Sequence, residues 1–156
     1  MVNTKRLESI LEEVKEKFPR TKNKKVRINI QNLGNVYMII KPAEKSYILN
    51  IDESTIAKLK SSIILKGGFA HEWAHIENDS TLRGSTIKWA NRGYRKSSIY
   101  RGYVEVNADI TAILNGFGKE LYYFKKFVER NAKDKKYIRE EGLTPKQVKK
   151  LIPPYK

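Results

Sequence analysis

The sequence predicts an α+β fold: one amino-terminal helix, a small and mostly antiparallel sheet, then a chain that is largely helical to its end. Three observations carry this. Apolar residues recur three or four apart in residues 4–18, alternate with polar ones between 26 and 51, and return to helical spacing from about residue 55. The 156 residues, 40% of them hydrophobic, suffice for one core, so the expectation is a single domain over 1–156 with a basic helical extension from about 119.

Each element has its own signal. Leu7, Leu11, Val14 and Phe18 line one face of the first helix, with Asn3 as its cap and Pro19 as its stop. Val26, Ile28 and Ile30 form the first strand. Leu33-Gly34-Asn35 turns the chain into a second strand over Val36–Lys41. Pro42 to Lys45 make another turn, and Tyr47, Leu49 and Ile51 mark a third strand. A long helix follows from about Thr55 to Asn78, capped by Ser54, with Ile56, Leu59, Ile63, Ala70 and Ala74 toward the core. Residues 79–100 have weak periodicity and two glycines, which predicts a connection with one turn of helix around Ile87–Ala90. Helix resumes by Val104, breaks at Gly116 and Gly118, and continues over Lys119–Asn131. Thr144-Pro145 opens a last short helix, stopped by Pro153-Pro154.

Composition narrows the chemistry. Cysteine is absent, so disulfides and thiolate metal sites are excluded. No apolar run approaches the length of a membrane span, and the first eighteen residues lack the apolar core of a secretory signal, so a cytoplasmic location is expected. The formal net charge is +15. Residues 83–104 hold six basic groups and no acidic one, and 119–156 hold twelve basic and five acidic. Such surfaces attract nucleic acid or acidic proteins, with Trp89, Tyr94 and Tyr100 available to stack on bases. A charged, solvated surface is the plainer account.

The two histidines of the chain stand in HEWAH, residues 71–75. At i and i+4 on a helix, His71 and His75 share a face and can meet one metal ion. Glu72 sits beside them, where a base can take a proton from metal-bound water. A third ligand must be a carboxylate. Glu77 and Asp79 follow His75 too closely to fold back from the same helix. Glu105 and Asp109, in EVNAD, are again i and i+4, and are the only acidic residues between Asp79 and Glu120. Glu105 can close a His₂Glu set. Asp109 can then hold the other nitrogen of a histidine, and Ala108 lets two helices approach.

HEWAH followed by EVNAD resembles the gluzincin clan of zinc metallopeptidases, and within it the M48-like peptidases and the very small soluble minigluzincins of archaea. The resemblance spans residues 71–109; elsewhere only the order of elements agrees. It implies a zincin-like minimal catalytic domain, with the small sheet packed on the HExxH helix and a second helix bearing the last ligand. It also implies one Zn²⁺ per chain on His71, His75 and Glu105, Glu72 as general base, and Asp109 behind His71. A peptide or unfolded protein would lie along an edge strand before the active-site helix, here Ser46–Ile51. Many members steady the oxyanion with a tyrosine or histidine beyond the ligands. No histidine remains, which leaves Tyr94, Tyr100 and Tyr103. Some small relatives are latent, and the tail GLTPKQVKKLIPPYK could fill the cleft or simply dock for stability. A non-catalytic zinc-bound interaction protein is the competing account.

Overall fold

The computed structural model describes residues 3–34, 36–82, 84–132 and 142–154. Helix α1 (Thr4–Lys15) is capped by Asn3 and buries Leu7, Ile10, Leu11 and Val14. Strands β1 (Val26–Gln31), β2 (Met38–Pro42) and β3 (Tyr47–Asp52) follow. Then come helices α2 (Glu53–Lys58), α3 (Ser62–Asp79), α4 (Gly84–Lys96), α5 (Ser98–Ala112), a π-helical turn (Ile113–Phe117), α6 (Gly118–Asn131) and α7 (Pro145–Leu151). The fold is a small α+β arrangement.

The sheet is mixed rather than mostly antiparallel. Its order is β1-β3-β2, with β1 parallel and β2 antiparallel to β3. After β1 the chain crosses past the end of β3's place, where the Leu33 N–H is held by Asp52 Oδ1 at 2.9 Å. It then returns through the β2–β3 hairpin to fill the middle. Leu49 and Ile51 of β3 are completely buried, so the most apolar strand takes the position with two neighbours. Ser46–Ile51 is therefore not an edge strand. The edge nearest α3 is β2.

The expected helix from Thr55 to Asn78 is two helices, α2 and α3, separated at Leu59–Ser61. Asp52, not Ser54, caps the first of them, accepting from the Thr55 N–H at 3.1 Å. From Gly67 onward α3 is buried on nearly every side, with Phe69, Ala70, Trp73 and Ala74 inaccessible. It is a central helix, packed by α1, α5, α6 and β2. Gly67 is required there. A Cβ on it would stand 2.2 Å from the Glu120 carbonyl oxygen, so α3 and α6 cross almost backbone to backbone. The room that Gly67 and Gly68 leave thus goes to the core.

Residues 84–96, expected to be mostly loop, form α4, and α5 begins at Ser98 rather than Val104. Gly116, at φ 92°, makes the break between α5 and α6. Thr144 and Gln147 cap α7 reciprocally, with Pro145 in its first turn. Helix α7 packs on α6, with Val148 fully buried. Among the described residues, no helix is long and apolar enough to cross a membrane.

Candidate metal centre

Helices α3 and α5 pack against each other, and Ala70, Ala74, Ala108 and Ala112 along them are all inaccessible to solvent. That close approach aims His71 and His75 at Glu105. His71 Nε2 lies 2.9 Å from Glu105 Oε2, and His75 Nε2 lies 3.3 Å from His71 Nε2 and 3.6 Å from the same carboxylate oxygen. The three ligand atoms all fall within 4.8 Å of one another, and the group could hold a metal ion.

The surroundings fix which nitrogen of His71 faces the group. Asp109, fully buried, receives His71 Nδ1 at 2.7 Å on one oxygen. Its other oxygen takes the Leu143 N–H at 2.7 Å and pairs with Lys125 Nζ at 2.9 Å. Burial alone would push the Asp109 carboxyl up, but Lys125 and His71 hold it below its usual range. As a carboxylate it can only accept, so His71 Nδ1 carries a proton there, and Nε2 is the nitrogen left to bind a metal once its own proton leaves. Burial opposes charge on His71 too. The neighbouring Asp109 and Glu105 outweigh it, raising the imidazole to about 10. Glu105 moves the opposite way: despite burial, the two histidines hold it well below the carboxylate range. The centre therefore collects negative charge that a proton or a metal cation must balance.

Glu72 is set apart from the ligands. Its Oε2 accepts the Ile40 N–H of β2 at 3.0 Å. Burial pushes its carboxyl up, as does Glu105, while both histidines and the Ile40 N–H pull it down; the net is upward. A cleft of about 540 Å³ opens over this side. His71, Glu72, His75 and Glu105 lie at its base, β2 forms one wall, and Tyr94, Tyr100 and Arg101 form another. None of residues 142–154 lines it.

The three candidate tyrosines separate. The Tyr94 hydroxyl donates to Glu105 Oε1 at 2.5 Å. Tyr100 lines the cleft without a hydrogen bond to the ligands. Tyr103 is exposed and outside the cleft: one helical turn after Ile99, it lies on the outer face of α5. Of the competing carboxylates, Glu77 turns away to Thr21 and Arg20, and Asp79 lies in the cleft outside the ligand group. Sequence reasoning missed Lys125, the Ile40 N–H and the Leu143 N–H. The last two are main-chain groups that leave no mark in a sequence. Lys125 is one of many lysines in a basic segment and becomes distinctive only by being buried against Asp109.

No family model, no curated protein and no solved structure matches this chain.

Proposed function

We propose that this protein is a zinc-dependent endopeptidase in which Glu72 is the general base. One observation carries the reading: the triangle of His71 Nε2, His75 Nε2 and Glu105 Oε2, with sides of 3.3, 2.9 and 3.6 Å. A tetrahedral site with bonds of about 2.0–2.1 Å has edges of about 3.3 Å. Two imidazoles and one carboxylate form a donor set suited to zinc, and three protein ligands leave the exchangeable position typical of catalytic sites. The HEWAH and EVNAD motifs and their likeness to gluzincins point the same way.

Bound zinc would polarise a substrate carbonyl and make water a nucleophile near neutral pH. The remaining roles fall to the chain's own residues. Glu72 takes the proton from the attacking water and passes it to the leaving amine. The Ile40 N–H steadies Glu72 without adding a full charge. Asp109 fixes the His71 ring, and Tyr94 fixes Glu105. An extended peptide would lie along β2, whose residues Met38–Ile40 line the cleft, rather than along Ser46–Ile51.

The test is cleavage of unfolded casein and a mixed peptide library by zinc-loaded protein, beside Glu72→Gln. The variant should hold one zinc per chain and lose about 10²–10⁴-fold in rate. Equal cleavage by both proteins removes Glu72 from the mechanism. Zinc binding with no cleavage by either leaves a zinc-bound interaction protein instead.

A further inference from the structure

Helix α5 has two unlike faces. Inward it presents Glu105, Ala108, Asp109 and Ala112, all buried. Outward it presents Ile99, 86% exposed, Tyr103, 64%, Ile110, 37%, and, just beyond in the π-helical turn, Leu114, 80%. Their spacings of four, seven and four residues place them on one helical face, with the partly buried Val106 between. The ridge runs about 20 Å at 1.5 Å per residue. It carries no charge, because the charged residues of α5 are Arg101, Glu105 and Asp109: the two acids are buried and Arg101 lies over the Tyr94 ring.

The neighbouring helix supplies the charge. Helices α4 and α5 fold back on each other: the Tyr100 ring lies against Gly93, Arg101 Nε donates to the Tyr94 carbonyl, and Tyr94 reaches Glu105. Arg92, Arg95 and Lys96 are exposed on α4, as is Trp89 at 69%, with the Arg92 guanidinium over its indole. No acidic residue interrupts 83–104. An uncharged apolar ridge on one helix, with exposed cations and a tryptophan on the helix packed against it, suits a surface both anionic and apolar.

We propose that the α4–α5 hairpin docks this protein on the surface of an anionic lipid bilayer, with Ile99, Tyr103, Ile110 and Leu114 entering the acyl boundary and the α4 cations meeting lipid phosphates. The other occupants fit less well. A second copy would bring like-charged rims together on a chain of net charge +15. Nucleic acid could stack on Trp89, but Tyr94 and Tyr100 line the cleft instead, and the outward ridge of α5 is mostly aliphatic, which bases do not need. The docking surface stands on different residues from the metal centre and does not depend on it.

The two tryptophans give a built-in readout. Trp73 is completely buried and Trp89 is exposed, so a blue shift on docking reports Trp89. Vesicles of phosphatidylglycerol mixed with phosphatidylcholine should sediment the full chain and shift its emission at low salt, whereas pure phosphatidylcholine should do neither. Ile99→Ser with Leu114→Ser should weaken partitioning about ten-fold or more, and Arg92→Gln with Arg95→Gln by a similar factor that shrinks as salt is raised. All four positions are exposed, and unchanged circular dichroism would verify folding. Sedimentation that ignores the Ile99/Leu114 pair would overturn the proposal, since attraction would then be charge alone. So would RNA binding without vesicle binding, or a dimer in light scattering that Leu114→Ser dissolves.

Discussion

Helix α3 carries two buried acid networks, and their difference separates structure from chemistry. At Glu77 one carboxylate oxygen takes the Thr21 hydroxyl at 2.6 Å, and the other takes the Arg20 N–H and Nε at 3.3 and 3.2 Å. Thr21 in turn accepts the Trp73 indole N–H at 2.9 Å. Each donor there meets an acceptor, and the network is closed. At His71 and His75 two ring nitrogens face one another at 3.3 Å across a shared carboxylate oxygen. Acceptors outnumber donors at that point unless a proton or a cation is added. Both networks are buried and both contain a glutamate; only the second converges on a point. Convergence, rather than burial, marks a site.

The two networks should respond in opposite ways to substitution. The largest effect is expected at the open network. His75→Ala should weaken zinc binding by about 10²–10³-fold, roughly one ligand's share of the ~10–16 kcal/mol of four-ligand zinc sites. Its metal-free unfolding midpoint should move little. Chelator competition and denaturant titration measure the two quantities on the same samples. Glu77→Ala should do the reverse: about 2–4 kcal/mol of stability lost in denaturant, because Thr21 and Arg20 lose their buried acceptor, with zinc affinity nearly unchanged. If Glu77→Ala also abolished zinc binding without unfolding the chain, the division between closed and open networks would be wrong.

A second way to sharpen the contrast uses protons. In the metal-free protein His71 is raised to about 10, against 6.5 for an ordinary histidine. Its charged form therefore stabilises the metal-free fold below about pH 6.5, and that contribution fades as pH climbs through 10. Zinc must displace this proton. Apparent zinc affinity should thus rise with pH, by close to ten-fold per unit between about 7 and 9, with about one proton released per ion bound. Calorimetry in buffers of different ionisation enthalpy counts that proton. A flat profile over this window would mean that His71 is already neutral and that Asp109 does not govern it. The Glu77 network contains no histidine and should add no such dependence.

What the sequence revealed follows the same physical line. His71, His75, Glu105 and Asp109 are legible because each pair is four residues apart on one helix, so local spacing already puts the side chains together. The strands are legible for a similar reason: β3 reads as Tyr47, Leu49 and Ile51 alternating. Their order is not, because which strand takes the middle depends on how the whole sheet meets α3. Helix α4 was hidden because Gly84 and Gly93 read as breaks in a segment with few large apolar residues. Lys125 was hidden because a buried lysine is written with the same letter as a solvated one. Burial and strand order belong to the tertiary fold, and single-sequence periodicity does not contain them.

The smallest effect tests the finest distinction, between tyrosines only nine residues apart. Tyr94 donates to Glu105 Oε1 and faces the cleft; Tyr103 stands on the outer ridge of α5. Tyr94→Phe removes one hydrogen bond from a carboxylate that otherwise leans on the histidines, so it can swing away from the ligand position. Zinc affinity should fall about ten-fold, the low end of what partners that orient metal ligands contribute. Tyr103→Phe changes no contact with Glu105 and should leave affinity and turnover where they were. The pair controls for itself, because both substitutions delete one hydroxyl from neighbouring helices of the same hairpin. Equal effects would trace the loss to the hairpin as a whole. An effect from Tyr94 alone would assign it to the Glu105 carboxylate, and would make α4 part of the metal centre as well as a wall of the cleft.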